Sequence, residues 1–361
     1  MRIIDRHLAA LFLRQLALVL ATLVGLYGLI EFIERIDDFI EHGAQLGHYL
    51  RYPLVKLPLM VAHALPMALL LAAFATIGQL SRSQQITALR SGGVSLWQTT
   101  RPLFVCGILF SLLMLVGNGW IVPWSMRESR YLLNTEIAGK PLNREVTHDL
   151  YLRDGRRILS VAQSFPHRGE IQGLVILDLD LHFRPERRLE AASGVHAGGG
   201  RWQLQQVTVR SFDPDTQELL DFSRQAEMPL DLGRTPAELS EAWTEPAELS
   251  LPQLADVGER LRRDGQDPRR YLGELHFRAA QSVMPLIMVL LGVPFALQRG
   301  RQATLGVGVA LCLGVFVVYL MLQAVGMALG TAGLLPLPLA AWAANLLLLL
   351  VGAWLFMTLD D

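Results

Sequence analysis

The sequence predicts an integral membrane α-helical fold: six transmembrane helices, three before and three after a large all-β insert of jelly-roll or sandwich type. Three observations predict it. Hydrophobic residues make up 52% of the 361 positions and charged residues only 18%. Leu57 to Leu80, Pro102 to Met126 and Gln302 to Leu359 contain no Asp, Glu, Lys or Arg, and about 20 apolar residues suffice to cross a bilayer. Between these stretches the pattern changes to short runs of alternating polarity, the period of a half-buried strand.

The first apolar run, Leu16 to Ile30, extends backwards through Leu8 to Leu13. It is too long for a secretory signal and ends in Glu31-Phe32-Ile33-Glu34-Arg35 instead of a small-residue cleavage site, so it is read as a retained helix over 9–33. The further helices are expected over 54–79, 102–124, 275–297, 303–329 and 336–357. Gly330 to Gly333 and Pro336 divide the last charge-free stretch, which is too long for one span.

Short-loop charge sets the orientation. One set of loops carries Arg2, Arg6, Arg82, Arg90, Arg101, Arg299 and Arg301, while the other carries Glu31, Glu34, Asp37, Asp38 and Glu41 against Arg35 and Arg51. Both termini are therefore expected in the cytoplasm and the insert outside it. The organisation reads as helices one to three over 1–124, with a cytoplasmic helix near 81–93; a β domain with a trailing helical linker over 125–273; and helices four to six over 274–361.

Within the insert, Leu150 to Arg153 and Arg157 to Val161 flank Asp154-Gly155, a hairpin signal because both turn residues tolerate positive φ. Gly173 to Leu179, Arg188 to Val195 and Trp202 to Arg210 continue the pattern, with a break at Gln205-Gln206 that predicts a bulge. Ser250 to Arg263 returns to helical spacing, and Pro268 opens the helix that re-enters the membrane.

Several chemistries are excluded. A net charge of -1 does not suit a nucleic-acid binder. No phosphate-binding GxxxxGK[ST] loop, HExxH or GxSxG motif occurs, so no catalytic residue, metal or cofactor of its own is expected. The two cysteines, Cys106 and Cys312, lie in apolar runs. Lys56 and His63 are the ionisable residues inside helix two; a snorkelling lysine and a neutral histidine bonded to a neighbouring helix account for them without a proton relay.

One loop stands out. Ser81 to Gly93 is basic and acid-free, about one short helix long, and ends at a Gly-Gly stop. Ile86, Leu89 and Arg90 fall on one helical face. A solvated connector and a helix that docks into a separate ATPase both fit, and composition does not choose between them.

The chain resembles the LptF/LptG family of lipopolysaccharide export permeases, and is closer to its LptG branch, over essentially its full length. The likeness rests on Ile4-Asp5-Arg6-His7, Leu65-Pro66-Met67-Ala68, Leu89-Arg90-Ser91-Gly92, Ile121-Val122-Pro123 closing helix three, Leu249-Ser250-Leu251 before Arg269-Arg270-Tyr271, and Met284-Pro285-Leu286. Their order, with six helices split by a β insert, is more specific than any one of them. The resemblance implies an inner-membrane permease that pairs with an LptF-like chain, sits on two copies of an LptB-like ATPase and passes lipopolysaccharide towards an LptC-like bridge protein. It identifies Arg82, Gln84, Gln85, Ile86, Leu89, Arg90, Ser91 and Gly92 as the coupling segment. Tyr27, Glu31, Phe32, Arg35, Lys56, Met60, Phe316 and Tyr319 are the candidates for the wall of a lipid cavity. Two positions depart from the family pattern: Gln84 where relatives carry Glu, and Glu31 where a basic residue is expected. A permease for another envelope lipid and a membrane-anchored scaffold are the competing classes; the scaffold needs no coupling helix.

Overall fold

The computed structural model describes residues 3–137, 147–154, 156–165, 168–180, 184–213, 218–233, 235–236, 245–263, 267–299 and 305–358. The chain divides into two compact units, 1–130 with 246–258 and 268–361, and 131–245 with 259–267.

The helical elements are α1 (Ile3–Glu41), α2 (Leu46–Arg82), α3 (Gln85–Ser91), α4 (Leu96–Val116), α5 (Val122–Tyr131), α6 (Leu251–Arg263), α7 (Arg269–Arg299), α8 (Leu305–Thr331) and α9 (Leu337–Met357). Among the described residues, six stretches are long and apolar enough to cross a membrane: α1, α2, α4 joined to α5, α7, α8 and α9. Several run well past the apolar core that the sequence marks out. Charged residues beyond that core are still good helix formers, so α1 continues to Glu41 and stops in a tight turn where Ala44 N–H bonds Phe39 O at 2.9 Å.

Pro123 does not close the third span, contrary to the sequence reading. A π-helical stretch, Gly117–Ile121, precedes it, and the Val122 N–H reaches back to Gly117 O. The wider turn shifts the bonding frame, so a proline that lacks a donor is carried inside one continuous helix.

The helical core is built on α2 and α7, the two most buried spans. Gly292 of α7 meets α2 so closely that an added Cβ would lie 2.8 Å from Ala73 Cβ and 2.9 Å from Leu70 O. Leu8, Phe12, Leu69, Ile77, Leu103 and Met288 fill the space around this contact. Lipid tails are as apolar as leucine, so such backbone approach supplies the van der Waals gain that the hydrophobic effect does not. The α8 to α9 contact repeats the device: a Cβ on Gly326 would lie 2.4 Å from Ala340 O.

The second unit carries six antiparallel strands in chain order, β1 (Thr147–Asp154), β2 (Arg157–Phe165), β3 (Glu170–Leu179), β4 (Pro185–Gly198), β5 (Arg201–Phe212) and β6 (Leu219–Asp231). The strands form one continuous ladder. Leu159, Val161, Leu174, Ile176, Trp202 and Leu204 on its inner face are buried together, so a single sheet curls over its own apolar side. Asp154 pairs with Arg157 across the expected β1–β2 turn, although Gly155 itself lies outside the described residues.

The irregularity at Gln205-Gln206 is not an inserted residue, contrary to the bulge expected. Gln205 pairs with Ser193 and Val207 with Ala191, so the register is unchanged across it, while Gln206 adopts a φ of 52°. Gly173, with a φ of 65°, lies in the same cross-strand row, because Gln172 also pairs with Ser193 and Leu174 with Ala191. At that row the buried positions step by three, from Ile171 to Leu174 and from Leu204 to Val207. A line of left-handed residues therefore rotates the inner face without slipping the strands. Strand β6 was not legible in the sequence: it is an edge strand with Pro229 in its run, and its side chains are mostly exposed, so it lacks an alternating pattern.

Gly326→Leu should lower the thermal midpoint of the detergent-solubilised protein, equivalent to about 1–3 kcal/mol of overpacking. Gly314, with no atom within 4 Å of an added Cβ, should tolerate alanine with no loss in the same melt.

Candidate functional site

The segment after α2 is shaped by backbone reversals. Ser83 caps α2, its N–H bonding Gln79 O while the Gln84 N–H bonds Ser81 O, and Gln84 takes a left-handed φ of 60° that breaks the helix. α3 then runs for two turns and is closed by Gly92 N–H to Ala88 O at 3.1 Å and Val94 N–H to Leu89 O at 3.0 Å. Ser95 starts α4, its side chain accepting from Gln98 N–H at 3.2 Å.

Burial divides the residues of this segment into two sets. Ile86 is only 7% exposed and belongs to the main helical core, and Leu89 is half-buried. Gln84, Gln85, Arg90, Ser91 and Gly92 are exposed, as is Arg82 in the last turn of α2. Ile86 is therefore an anchor and not part of the presented face, which corrects the grouping of Ile86, Leu89 and Arg90 on one outward surface. What α3 offers to solvent is a polar, cationic face pinned by one apolar side chain.

The second set of candidates lies where α1 faces α2. The Glu31 carboxylate, 7% exposed, accepts from Tyr52 Oη–H at 2.8 Å and from Lys56 Nζ, and lies 3.7 Å from Arg35 Nε. Lys56 also donates to Tyr52 Oη at 3.1 Å, and Arg35 donates to Asp38 at 3.0 Å. Phe39 packs edge-on against Tyr49 and Tyr52 at 5.0 and 5.7 Å between ring centroids. One turn towards the middle of α1, Tyr27 Oη and His63 Nδ1 lie 3.3 Å apart with their rings stacked. Met60 is buried against Gly28, and Phe32 packs on Tyr49.

Six of the eight wall candidates are thus gathered on the α1–α2 pair. Phe316 and Tyr319 are not: Tyr319 is 1% exposed inside the main core and Phe316 packs against that core. Met60 and Tyr319 are closed inside the chain and present no side chain to an open wall in this conformation. Lys56 does not snorkel; it turns inward to Glu31, because a carboxylate nearby in an apolar setting is a better partner than a distant interface.

Two buried polar contacts escaped the sequence reading. Tyr52 joins the Glu31–Lys56 pair, and opposite charges on neighbouring apolar helices were the available signal. Arg278 of α7 is buried and donates to Glu274 at 2.7 Å and to the carbonyls of Leu249 and Pro246, each at 2.7 Å. Those acceptors are backbone atoms, so no side-chain pattern announces them. Among the described residues no group of three or more His, Cys, Asp or Glu is placed to hold a metal.

Lys56→Met should destabilise the protein by about 3 kcal/mol, since it leaves the Glu31 carboxylate buried without its counter-charge. Adding Glu31→Gln should restore most of the loss; denaturant unfolding of the single and double variants in the same detergent checks this.

The family model for the lipopolysaccharide export system permease LptF/LptG matches residues 6–358. The lipopolysaccharide export system permease protein LptG of Escherichia coli K12 is 22% identical over 98% of both chains. Its counterpart in Haemophilus influenzae is 23% identical over 98% of this chain and 97% of that one. A match of this extent, on a chain with six apolar spans and an antiparallel β insert, shows that the protein belongs to the LptF/LptG family of lipopolysaccharide export permeases, as a multi-pass inner-membrane protein.

Proposed function

We propose that this chain is the permease subunit of an ABC transporter that extracts lipopolysaccharide from the inner membrane and passes it to a periplasmic bridge. It pairs with an LptF-like permease, rests on two copies of an LptB-like ATPase and delivers to an LptC-like protein. ATP is bound and hydrolysed by the partner, and the chain itself carries no cofactor. Both termini and α3 lie in the cytoplasm, and residues 125–273 lie in the periplasm.

The observation that supports this reading best is the construction of α3. An acid-free helix with Arg90 exposed on it and Arg82 exposed just before it at the end of α2, anchored through Ile86 in the helical core, converts a push at the cytoplasmic surface into movement of α2 and α4. A solvated connector needs no such anchor. The energetic demand is also of the right kind: each buried CH₂ contributes about 0.8 kcal/mol, so a lipid with several acyl chains leaves the bilayer only with coupled work.

Two departures from the family pattern acquire roles. Gln84 is exposed at the start of α3, where an amide meets the ATPase by neutral hydrogen bonds in place of a charge-assisted one. Glu31 neutralises Lys56, and Asp38 pairs with Arg35, which supports assigning the lipid phosphates to the partner permease. The cavity wall contributed here is then the apolar face around Tyr27 and Phe32.

Affinity purification of the tagged chain in mild detergent tests the assembly: a P-loop ATPase and a second six-span permease with a β insert should co-elute. Recovery of the chain alone would favour the anchored scaffold. In the reconstituted complex, Arg90→Glu should reduce ATP-driven lipopolysaccharide release by roughly tenfold, the value of one charge-assisted contact. Gln84→Glu should preserve or strengthen ATPase docking; loss of assembly with the native ATPase would place α3 away from that interface.

A further inference from the structure

The inner face of the β sheet ends in a charged row. Arg157 of β2 pairs with Asp178 of β3, Asp178 with Arg187 of β4, Arg187 with Ser211 of β5, and Ser211 with Asp221 of β6. Each of the first four stands two residues beyond an inward-facing apolar side chain, namely Leu159, Ile176, Leu189 and Val209. Side chains two apart share a face, so the apolar interior of the curled sheet gives way at this end to alternating cation, anion, cation and hydroxyl. Arg157 holds Asp178 through Nε to Oδ1 at 2.6 Å and Nη2 to Oδ2 at 3.5 Å.

Just beyond the row the ladder changes register, between Asp178 and Leu179 and between Ser211 and Phe212. Beside these irregularities lies a cavity of about 790 Å³ lined by Arg157, Asp178, Arg187 and Ser211 of the row together with Arg156, Glu186, Leu179, Phe212 and Leu220. It lies at the end of the sheet opposite to the one where the chain enters β1 and leaves β6.

We infer that this mouth is a binding site for an acidic saccharide. Donors and acceptors alternate from strand to strand at a spacing of about 4.8 Å, which suits a ligand that presents hydroxyls on both sides of a ring. Phe212 and Leu220 give the apolar surface on which the CH face of a sugar rests. Among the described residues the lining holds three guanidiniums against two carboxylates, so the ligand is one that carries carboxylate or phosphate, groups that arginine binds in a forked geometry. The identity of that ligand as the sugar portion of the exported lipid rests on the function proposed above. The mouth holds the polar end of the molecule, while the apolar interior behind it shuns water.

The test uses the full chain in lipid nanodiscs, titrated calorimetrically with completely deacylated lipopolysaccharide, a soluble phosphorylated oligosaccharide, and separately with a neutral glucan oligosaccharide of similar length. Saturable binding of the acidic probe alone is expected. It should weaken about tenfold in Arg187→Ala and measurably in Arg156→Ala, which lies in the exposed hairpin tip and leaves the ladder untouched. Equal affinity for the neutral glucan, no saturable binding, or affinity unchanged in both variants would overturn the site. ATP-driven lipopolysaccharide release by the reconstituted complex separates the two readings. Release without oligosaccharide binding removes the mouth site and leaves export standing. Arginine-dependent binding without release removes export and leaves the site.

Discussion

The contact on which the helical unit depends is the backbone approach of α7 to α2 at Gly292. In a bilayer, apolar side chains gain little by leaving lipid for protein, so helices associate where small residues let their backbones meet and where polar groups find partners. Gly292 against Leu70 and Ala73 supplies the first. Around that axis the other elements attach with decreasing burial: α9 through Gly352 against Leu290, α4 through Gly107 against Leu286, and α8 through Gly308 against Phe74. α1 and α8 keep most of their surface facing outward.

Several of the polar groups inside this unit are tied in ways that follow from the same solvent. Asn118 donates to Ser282, Ser282 back to Arg278 O, and Asn345 to Ala280 O. The Glu31–Lys56–Tyr52 cluster is the strongest case, a closed set of charges that joins α1 to α2 without adding net charge. Coupling between α3 and the core has a different origin. It rests on Ile86, a single apolar anchor on an otherwise polar helix, and on reversals at Gln84 and Gly93 that fix where that anchor points.

The β unit solves another problem, that of giving one sheet an interior. The left-handed row at Gly173 and Gln206 turns the inner face while the register holds, and the register changes at Leu179 and Phe212 lie at one end. An apolar interior with a charged mouth follows from these local events and from the alternation of each strand.

The sequence by itself determined the six spans, the β insert and the place of the short helix after the second span, because hydrophobic length, period-two alternation and a Gly-Gly stop are local signals. Pairing between elements was beyond it. That Glu31 meets Lys56, that Arg278 meets the carbonyls of Leu249 and Pro246, and that Arg157, Asp178, Arg187 and Ser211 form one row depends on which helices and strands lie side by side. The third span carried through Pro123 because a π turn shifted its hydrogen bonds, and Ile86 faced inward because α3 folds back on α2. Tertiary structure decided these points, since each is a contact between residues whose separation in the chain carries no record of their distance in space.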